Sequence, residues 1–569
     1  MKSIGRNMLK SYLLAGLSGV LLALAFPHSS ITVLVWIGLI PLLFAIDRSN
    51  VKHAPLLGLI CGIVFYAAVL YWIQVFGFIA WFALSVFLAV WIGLFSLGAK
   101  LVFERGKSML PFLLLPALWA LTEYGRALGP LGFAWANLGA TTAGFRVSLL
   151  ASYIGEPGVS AAIVFVNLAL LRAVQTLRSY RVRKKLSTIK MNEVEIMVEV
   201  QPGSIEQHIE LLTDGLTDGD HDGIFASRIS RRTAKRARNA SQICIGVAVL
   251  SLIVLGFLRA PAAQQDVRTA IKVTLVQPSI PQSVKHNVAN DSLIKSRYRT
   301  MTDRALRTWP AGPDLLIWPE SVFISYIEDQ KPYISAMTDL ITQNNASFIF
   351  GGMSQDEQQR IFNNAIFVDA TDKKKDYQSY QKTHLVPFGE YMPLRGFIER
   401  INDMADLVDD KTPGTRFVTF DISRTVRPKG YPNRVQRLGK FSTILCFESA
   451  DSRLVGRMVE NGARMIVVIT NDGWFGKTAA LEQHFQIARM RAIEYGVPVV
   501  QAANTGLSGF IDQNGHVIAR TAINRQEVLR SAINFASRPS FFAHYGTFLP
   551  YLYLAVILTA VLYRRTNSV

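Results

Sequence analysis

Residues 441–451 read FSTILCFESAD, in which an apolar, β-branched run ends at a cysteine. Such a run predicts a strand over 441–445, and the amphipathic stretch 453–461 predicts a helix after it. Cys446 then lies at a strand-to-helix turn, where a side chain is exposed at the edge of a sheet. The next backbone N–H, that of Phe447, can point at a developing oxyanion, so the sequence predicts a nucleophilic thiol with an oxyanion donor beside it.

Short β-branched runs alternate with amphipathic stretches throughout the block that surrounds this turn. Strands are predicted at 271–276, 315–318, 347–351, 364–368, 376–380, 464–469 and 497–501, and a last hairpin turns at 514–515. Helices are predicted at 294–307, 334–343 and 481–495. This alternation indicates an α/β domain.

Two more reactive groups stand at predicted strand ends in this block. Glu320 ends LLIWPE (315–320), and Lys382 follows the strand at 376–380. A carboxylate can be the base that a thiol needs, and a buried ammonium can stabilise an oxyanion. Each residue alone is as well explained by structure: a lone cysteine can fill a core, and a lysine near Glu390 can form a surface pair worth under about 1 kcal/mol. Their joint occurrence is far more specific.

The rest of the chain is apolar in long runs. Hydrophobic residues make up 50% of the 569 residues and the mean hydropathy is +0.25, which is too apolar for an ordinary soluble protein. The runs approach the ~20 residues that cross a bilayer core. They are 9–26, 31–46, 54–73, 77–97, 109–124, 149–171, 243–258 and 548–563. We therefore predict an all-α bundle of eight transmembrane helices.

The basic residues lie on one side of these runs. They gather at 2–10, 48–52, 100–107, 172–238 and 564–565, and the other short loops hold only Arg126 and Arg146. By the positive-inside rule, both termini are cytoplasmic and the block 267–535 faces outward. The net charge of +19 is thus explained by topology, and we predict no nucleic-acid partner.

Two segments of the membrane part need an interpretation. The first run follows basic residues and contains Ala23-Leu24-Ala25, as a signal peptide would, but the second run starts so soon afterwards that a retained span is favoured. The polar segment 175–240 is predicted to be a cytoplasmic, partly disordered insert. The cysteines, Cys61, Cys244 and Cys446, provide no disulfide framework.

Glu320, Lys382 and Cys446, in this order and each at a strand end, resemble the Glu-Lys-Cys triad of the nitrilase superfamily. Longer stretches narrow the resemblance to the apolipoprotein N-acyltransferase family; they lie at 380–393, 470–476, 484–494 and 503–509. The arrangement of spans is similar too, so the resemblance covers nearly the whole chain except the insert. It implies a nitrilase-like αββα sandwich joined to the helix bundle.

The resemblance also implies a ping-pong reaction at a bacterial inner membrane, with the sandwich on the periplasmic face. Cys446 would take a fatty acyl group from a phospholipid, expected to be phosphatidylethanolamine, and pass it to the N-terminal amine of a diacylglyceryl lipoprotein. Glu320 would be the base and Lys382 the oxyanion partner. Glu390 would orient Lys382, and Glu448 matches a further acidic position. No cofactor or metal is implied, and we expect a monomer.

A thioester must be kept from water, so apolar entry segments are expected at Trp474, Phe475 and Phe388, although core packing explains these residues equally well. His286, which we group with the substrate-binding residues, stands where the family commonly has a tryptophan. Ala134 stands in place of the family's proline in the outer loop 123–138. The aromatic contact at His286 and the conformation of that loop are therefore open.

The predicted boundaries are 1–174 for spans one to six, 175–240 for the insert, 241–262 for span seven, 263–540 for the catalytic domain, and 545–569 for span eight and the tail. Two other functions are weighed against acyl transfer. A membrane-tethered amidase or nitrilase would release ammonia from small amides and be indifferent to phospholipid. A transporter with an external binding module would need mid-membrane charges, and the runs carry few of them.

Overall fold

The structure is a computed structural model that describes residues 2–104, 109–129, 131–198, 246–264, 269–285, 287–393, 395, 410–426 and 432–566. Its helical part contains α1 (Lys2–Leu24), α2 (Ile40–Arg48), α3 (Ala54–Val69), α4 (Phe78–Glu104), α5 (Leu110–Arg126), α6 (Ala151–Val198) and α7 (Gly246–Phe257). Helix α6 bends at Gly155, whose φ is 69°, and it continues into the segment 175–240. The rest of that segment lies outside the described residues.

Within the described ranges, three helices are long and apolar enough to cross a membrane: Phe78–Glu104, Arg146–Arg178 and Phe541–Leu562. The segment 31–46, predicted as one span, is not one continuous helix, because Thr32–Trp36 is a 3-10 helix and α2 begins only at Ile40, with a proline in its first turn. The 9 residues of α2 rise about 13 Å, less than half of the ~30 Å hydrocarbon core. Shorter apolar helices lie at Met8–Leu24, Ala54–Val69 and Gly246–Phe257.

The α/β part contains two six-stranded sheets. The strands are β1 (Ile271–Gln277), β2 (Leu315–Ile317), β3 (Ser347–Gln355), β4 (Ile361–Val368), β5 (Gln378–Gln381), β6 (Phe420–Val426), β7 (Arg434–Leu445), β8 (Ile466–Thr470), β9 (Val499–Ala503), β10 (Gly509–Ile511), β11 (Val517–Arg520) and β12 (Glu527–Ile533). The first sheet has the order β12-β1-β2-β3-β4-β5 and the second β11-β10-β9-β8-β7-β6. Every predicted strand is present, whereas β6 and β12 were not predicted.

The two sheets pack face to face, because apolar side chains from both of them form one buried cluster that includes Val273, Phe367, Phe441 and Val467. Helices cover the outer faces. They are α8 (Gln282–Lys285), α9 (Asp291–Leu306), α10 (Lys331–Gln343), α11 (Ser452–Glu460), α12 (Ala480–Tyr495) and α13 (Phe541–Tyr545), followed by α14 (Leu549–Thr566). The predicted helices are thus confirmed, and so is the αββα sandwich.

The parallel strands position the reactive residues. β1, β2 and β3 run parallel to one another in the first sheet, and β7, β8 and β9 run parallel to one another in the second. The carboxyl ends of parallel strands lie at one edge of a sheet, and ligands bind there in open α/β sheets. Glu320 follows β2 and Cys446 follows β7, so the two residues come from facing sheets.

Buried charged groups connect the sandwich to the helical part. Arg491 of α12 forms an ion pair with Glu156 of α6, and its Nε lies 3.2 Å from Glu494 Oε2. The backbone N–H of Glu156 donates to Glu494 Oε1 at 2.8 Å. All three side chains are buried, so removing Arg491 would leave two unpaired carboxylates in the interior. The position of α12 relative to α6 is therefore well determined.

Gln483 on α12 makes a second connection between the two parts. Its Oε1 accepts the indole N–H groups of Trp72 at 3.2 Å and Trp135 at 2.8 Å, and its Nε2 donates to the Val69 carbonyl at 3.1 Å.

Gln483→Leu should lower the thermal midpoint in detergent by several degrees, because each buried polar group left unpaired costs about 1–3 kcal/mol. Gln378→Leu, an exposed position, is the control; equal midpoints for the two variants would contradict this connection.

Candidate active site

Cys446 lies where the chain leaves β7. Its φ is 51°, and it opens a 3-10 turn, Cys446–Ala450, that precedes α11. A residue other than glycine at positive φ marks local backbone strain of the kind that is found at functional sites. The strand-to-turn geometry predicted for this residue is present.

The environment of the Cys446 thiol keeps it protonated at rest. Burial raises the pKa of the thiol above its usual range, and the Glu320 carboxylate raises it further. The Lys382 ammonium and a hydrogen bond with Thr470 act in the opposite direction without outweighing these effects. The thiol therefore needs a base before it can attack.

Glu320 is buried and held by two hydrogen-bond donors. Asn363 Nδ2 donates to its Oε1 at 2.7 Å, and the backbone N–H of Asn471 donates to its Oε2 at 2.9 Å. Gly351 on β3 makes room for this segment, since a Cβ there would approach the Glu320 Cα to 2.7 Å. The orientation of the carboxylate is thus fixed before any substrate binds.

Lys382 is almost completely buried between two carboxylates. Its Nζ lies 2.8 Å from Glu390 Oε2 and 3.8 Å from Glu320 Oε1. Burial favours the neutral amine, but Glu390 and then Glu320 outweigh this effect and raise the pKa of Lys382 above its usual value. The side chain is therefore a permanent cation beside the thiol.

Glu390 is the main partner of that cation. Burial alone would raise the pKa of Glu390, but the ammonium groups of Lys382 and Lys411 outweigh this effect and lower the pKa to about 2. Its Oε2 also accepts the Val386 N–H at 3.0 Å, and Asn363 Nδ2 lies 3.2 Å from its Oε1. Asn363 thereby bridges Glu390 and Glu320, so the two carboxylates and the ammonium form one network.

Glu448 has a different environment, in which most of the hydrogen-bond donors are backbone N–H groups. Its Oε1 accepts the N–H groups of Thr383 at 2.7 Å and His384 at 3.0 Å and the Tyr380 hydroxyl at 2.8 Å. Its Oε2 accepts the Leu445 N–H at 2.9 Å. Burial raises the pKa of Glu448. This carboxylate therefore holds the segment after Lys382 against the segment that carries Cys446.

Glu448→Gln should reduce the acyl transfer that the sequence resemblance implies by about tenfold or more, because an amide cannot accept all of these donors and a misplaced reacting group costs about two orders of magnitude. The maximum rate should fall, while the apparent affinity for lipid should change little. Initial rates over a range of lipid concentrations measure both quantities. A wild-type rate would contradict the positioning role.

The sequence interpretation gave no role to His484, which contacts the backbone of the nucleophile. Its Nε2 lies 3.1 Å from the Cys446 carbonyl and 2.9 Å from Ser449 Oγ, and its Nδ1 lies 3.0 Å from Asp472 Oδ1. Burial opposes protonation, but Asp472 outweighs it and raises the pKa of His484. His484 is part of the 484–494 stretch that carried the family resemblance, but nothing in its spacing indicated contact with Cys446.

The structure separates the predicted aromatic residues into two groups. Phe447 is buried and stacks on Trp135, with ring centroids 5.9 Å apart. Phe475 packs on Trp72 at 4.7 Å. By contrast, Trp474 is 45% exposed and Phe388 is 50% exposed. Core packing therefore accounts for Phe475, while Trp474 and Phe388 remain candidates for lipid contact.

The two positions that depart from the family pattern have different outcomes. His286 lies outside the described residues. Ala134 is half-buried between Phe133 and Trp135 and packs against the helical core. The loop continues through Ala136, whose φ is 63°, and Arg126 donates to the Phe133 carbonyl at 3.0 Å. The loop is thus well anchored without a proline at position 134.

Comparisons with known proteins match both parts of the chain. The family model "Apolipoprotein N-acyltransferase N-terminal domain" matches residues 18–169, and the model "Carbon-nitrogen hydrolase" matches residues 272–540. An apolipoprotein N-acyltransferase from Geobacter metallireducens is 29% identical over 98% of this chain and 96% of its own length. One from Haemophilus ducreyi is 24% identical over 99% of both chains. A nitrilase-superfamily crystal structure from Saccharomyces cerevisiae has a TM-score of 0.35 and 18% identity, covering 48% of this chain and 93% of its own.

Proposed function

This chain belongs to the apolipoprotein N-acyltransferase family, and we infer that it transfers a fatty acyl group from a phospholipid to the N-terminal amine of a lipoprotein. The observation that carries the proposal is the buried network of Glu320, Lys382 and Glu390 beside the protonated thiol of Cys446. It provides a nucleophile, a base and a fixed cation at one sheet edge. These are the groups that acyl transfer through a thioester requires.

In the first half-reaction, Glu320 removes the proton from Cys446 Sγ as the sulfur attacks the ester carbonyl of a phospholipid. The negative charge that develops on the carbonyl oxygen is stabilised by the Lys382 ammonium and the Phe447 amide. The ester C–O bond then breaks, and Glu320 returns the proton to the leaving oxygen of the lysophospholipid. The acyl group remains on Cys446 as a thioester.

In the second half-reaction, the α-amine of a diacylglyceryl cysteine attacks the thioester carbonyl. Glu320 accepts a proton from the attacking amine, and the same cation stabilises the second tetrahedral oxyanion. The C–S bond breaks, an amide forms, and Cys446 regains its proton. The Glu390 carboxylate keeps Lys382 in place through both steps, because their ion pair is 2.8 Å long and buried.

The membrane placement follows from the same reaction. Both substrates are lipids, so the sheet edge has to lie at the bilayer surface, and the apolar helices provide that placement. We propose eight membrane segments in a bacterial inner membrane, with the sandwich on the periplasmic face and the first segment retained. The exposed Phe388 and Trp474 would then contact acyl chains. We also propose that the chain acts as a monomer and takes its acyl chain from phosphatidylethanolamine.

Incubating the purified chain with phosphatidylethanolamine and a synthetic diacylglyceryl lipopeptide tests this function. We expect an N-acylated lipopeptide and lysophospholipid in equal amounts, detected by mass spectrometry. The amidase alternative predicts ammonia from small amides and no dependence on phospholipid. Product that forms at the same rate without phospholipid, or ammonia release without lipopeptide acylation, would contradict the proposal.

A further inference from the structure

Two clefts adjoin each other where the ends of α1 and α3 meet the start of α12. The first has a volume of about 410 Å³ and the second about 610 Å³. They share Pro27, His28, Tyr71 and Ala479, so they form one continuous depression. The two halves differ in chemistry, and this difference suggests an amphipathic ligand.

The first cleft is apolar. Val20, Ala23 and Leu24 of α1 line one side, and Ala68 and Val69 near the end of α3 line the other. Val20 is 45% exposed, so the protein does not cover this face of α1. An alkyl chain fits such a lining, because burying apolar surface stabilises the bound state by about 25 cal/mol per Å².

The second cleft is cationic. Its lining includes Arg259, Lys477, Arg489 and Arg520, against the carboxylate of Glu482 alone among the described lining residues. That carboxylate is engaged by Arg520 at 3.1 Å. The segment 477–479 at the start of α12 also lines the cleft, where backbone N–H groups and the helix dipole favour an anion. The lining therefore carries an uncompensated positive charge.

Arg489 is held in this cleft by the fold itself. Its Nε donates to the Gly515 carbonyl at 2.9 Å, and its guanidinium occupies the space next to Gly144, where a Cβ would collide with it. Burial lowers the pKa of Arg489 to about 10, and the like charges of Arg259 and Arg520 contribute to this change. Cations that repel one another in this way are stabilised when an anion binds between them.

We propose that the two clefts form a binding site for a phospholipid that does not react, with its phosphate among the arginines and an acyl chain in the apolar cleft. The site is separate from the nucleophile, because Gln483, Trp72 and Trp135 form a hydrogen-bonded cluster on its inner side and Trp135 stacks on Phe447. The cationic end lies at the outer bilayer surface in the topology proposed above, so the inference rests on that topology but not on the acyl transfer. The continuous apolar cleft favours a lipid over free phosphate.

Photolabelling tests the site in the full-length Cys446→Ala chain, which cannot form a thioester. The protein is reconstituted in phosphatidylglycerol vesicles that contain phosphatidylglycerol with a diazirine at the end of one acyl chain. We expect labelled peptides from 20–29 and 68–71, quantified relative to labelling of α14. In Arg259→Gln/Lys477→Gln this ratio should fall by about tenfold, since each cation near a bilayer surface contributes substantially to the binding of an anionic lipid. Both side chains are exposed, so their replacement preserves the fold.

Two controls make the result specific. Arg360→Gln/Lys373→Gln removes the same charge from exposed positions outside the clefts and should keep the wild-type ratio. A diazirine diacylglycerol, which lacks the phosphate, should label 20–29 and 68–71 no more strongly than α14. Equal labelling by the two probes, or an unchanged ratio in Arg259→Gln/Lys477→Gln, would overturn the site. Neither outcome depends on the thioester, so a failure here is distinguishable from a failure of the acyl transfer.

Discussion

Lys382→Met should abolish acyl transfer and destabilise the protein by about 3–5 kcal/mol, because it removes one partner of a buried ion pair. Lys382 is the cation 2.8 Å from Glu390 and 3.8 Å from Glu320, and methionine has a similar length without the charge. The tetrahedral oxyanion then loses the ammonium group that stabilises it most. The buried carboxylates of Glu320 and Glu390 lose the cation that they share. The lipopeptide assay measures the first effect, and thermal unfolding in detergent measures the second.

The pH dependence of this loss has a definite sign. In the wild type the pKa of Glu390 is lowered from 4.5 to about 2, so the stabilisation by the pair is fully present above pH 4.5 and is lost as the pH falls toward 2. In Lys382→Met, Glu390 loses its principal cation, and burial then favours the protonated, neutral form of this side chain. The stability deficit of the variant should therefore be larger at pH 8 than at pH 5. Lys373→Met, an exposed lysine, should show neither effect; a deficit that does not change with pH would contradict this account.

Glu320→Gln should lower the rate of thioester formation by about 10²–10⁴-fold, the usual contribution of a general base. The thiol is protonated at rest, so without Glu320 nothing in the network can remove its proton, since Glu390 is already engaged by Lys382 and Lys411. Glutamine still accepts the Asn471 N–H but not the Asn363 donor as well, so thermal stability should fall less than in Lys382→Met. Burst kinetics of lysophospholipid release measure the step.

Two observations separate this effect from a general disturbance of the site. Glu357→Gln changes an exposed carboxylate on the turn after β3 and should react at the wild-type rate. Raising the pH should partly restore Glu320→Gln, because hydroxide can then generate the thiolate. A Glu320→Gln enzyme that forms the thioester at the wild-type rate would assign the base to another group.

The reactive residues of this site could be predicted from the sequence because each follows a strand. Glu320 follows β2 and Cys446 follows the last five residues of β7; these apolar runs are buried on both faces, and such runs are easily recognised in a sequence. Their convergence could be expected, since carboxyl ends of parallel strands share a sheet edge. The order of Glu320, Lys382 and Cys446 along the chain then indicated the resemblance to the nitrilase superfamily.

Other features depend on contacts between distant segments that no local pattern encodes. Asn363 lies in the middle of β4, and its amide joins two carboxylates that are far from it in sequence. Strands β6 and β12 lie at sheet edges, and polar residues interrupt their apolar pattern, so periodicity did not indicate them. The run 31–46 has the composition of a membrane span, but Pro41 and the preceding turn divide it, which hydropathy cannot detect.

The central claim is that Cys446 carries the acyl group between the two lipids. Intact-protein mass spectrometry after incubation with phosphatidylethanolamine alone, without a lipoprotein acceptor, tests it most directly. We predict one added acyl mass that maps to Cys446, is released by hydroxylamine or by a diacylglyceryl lipopeptide, and is missing in Cys446→Ala. Acylated lipopeptide formed by an enzyme that never carries this adduct, or formed by Cys446→Ala, would contradict the account.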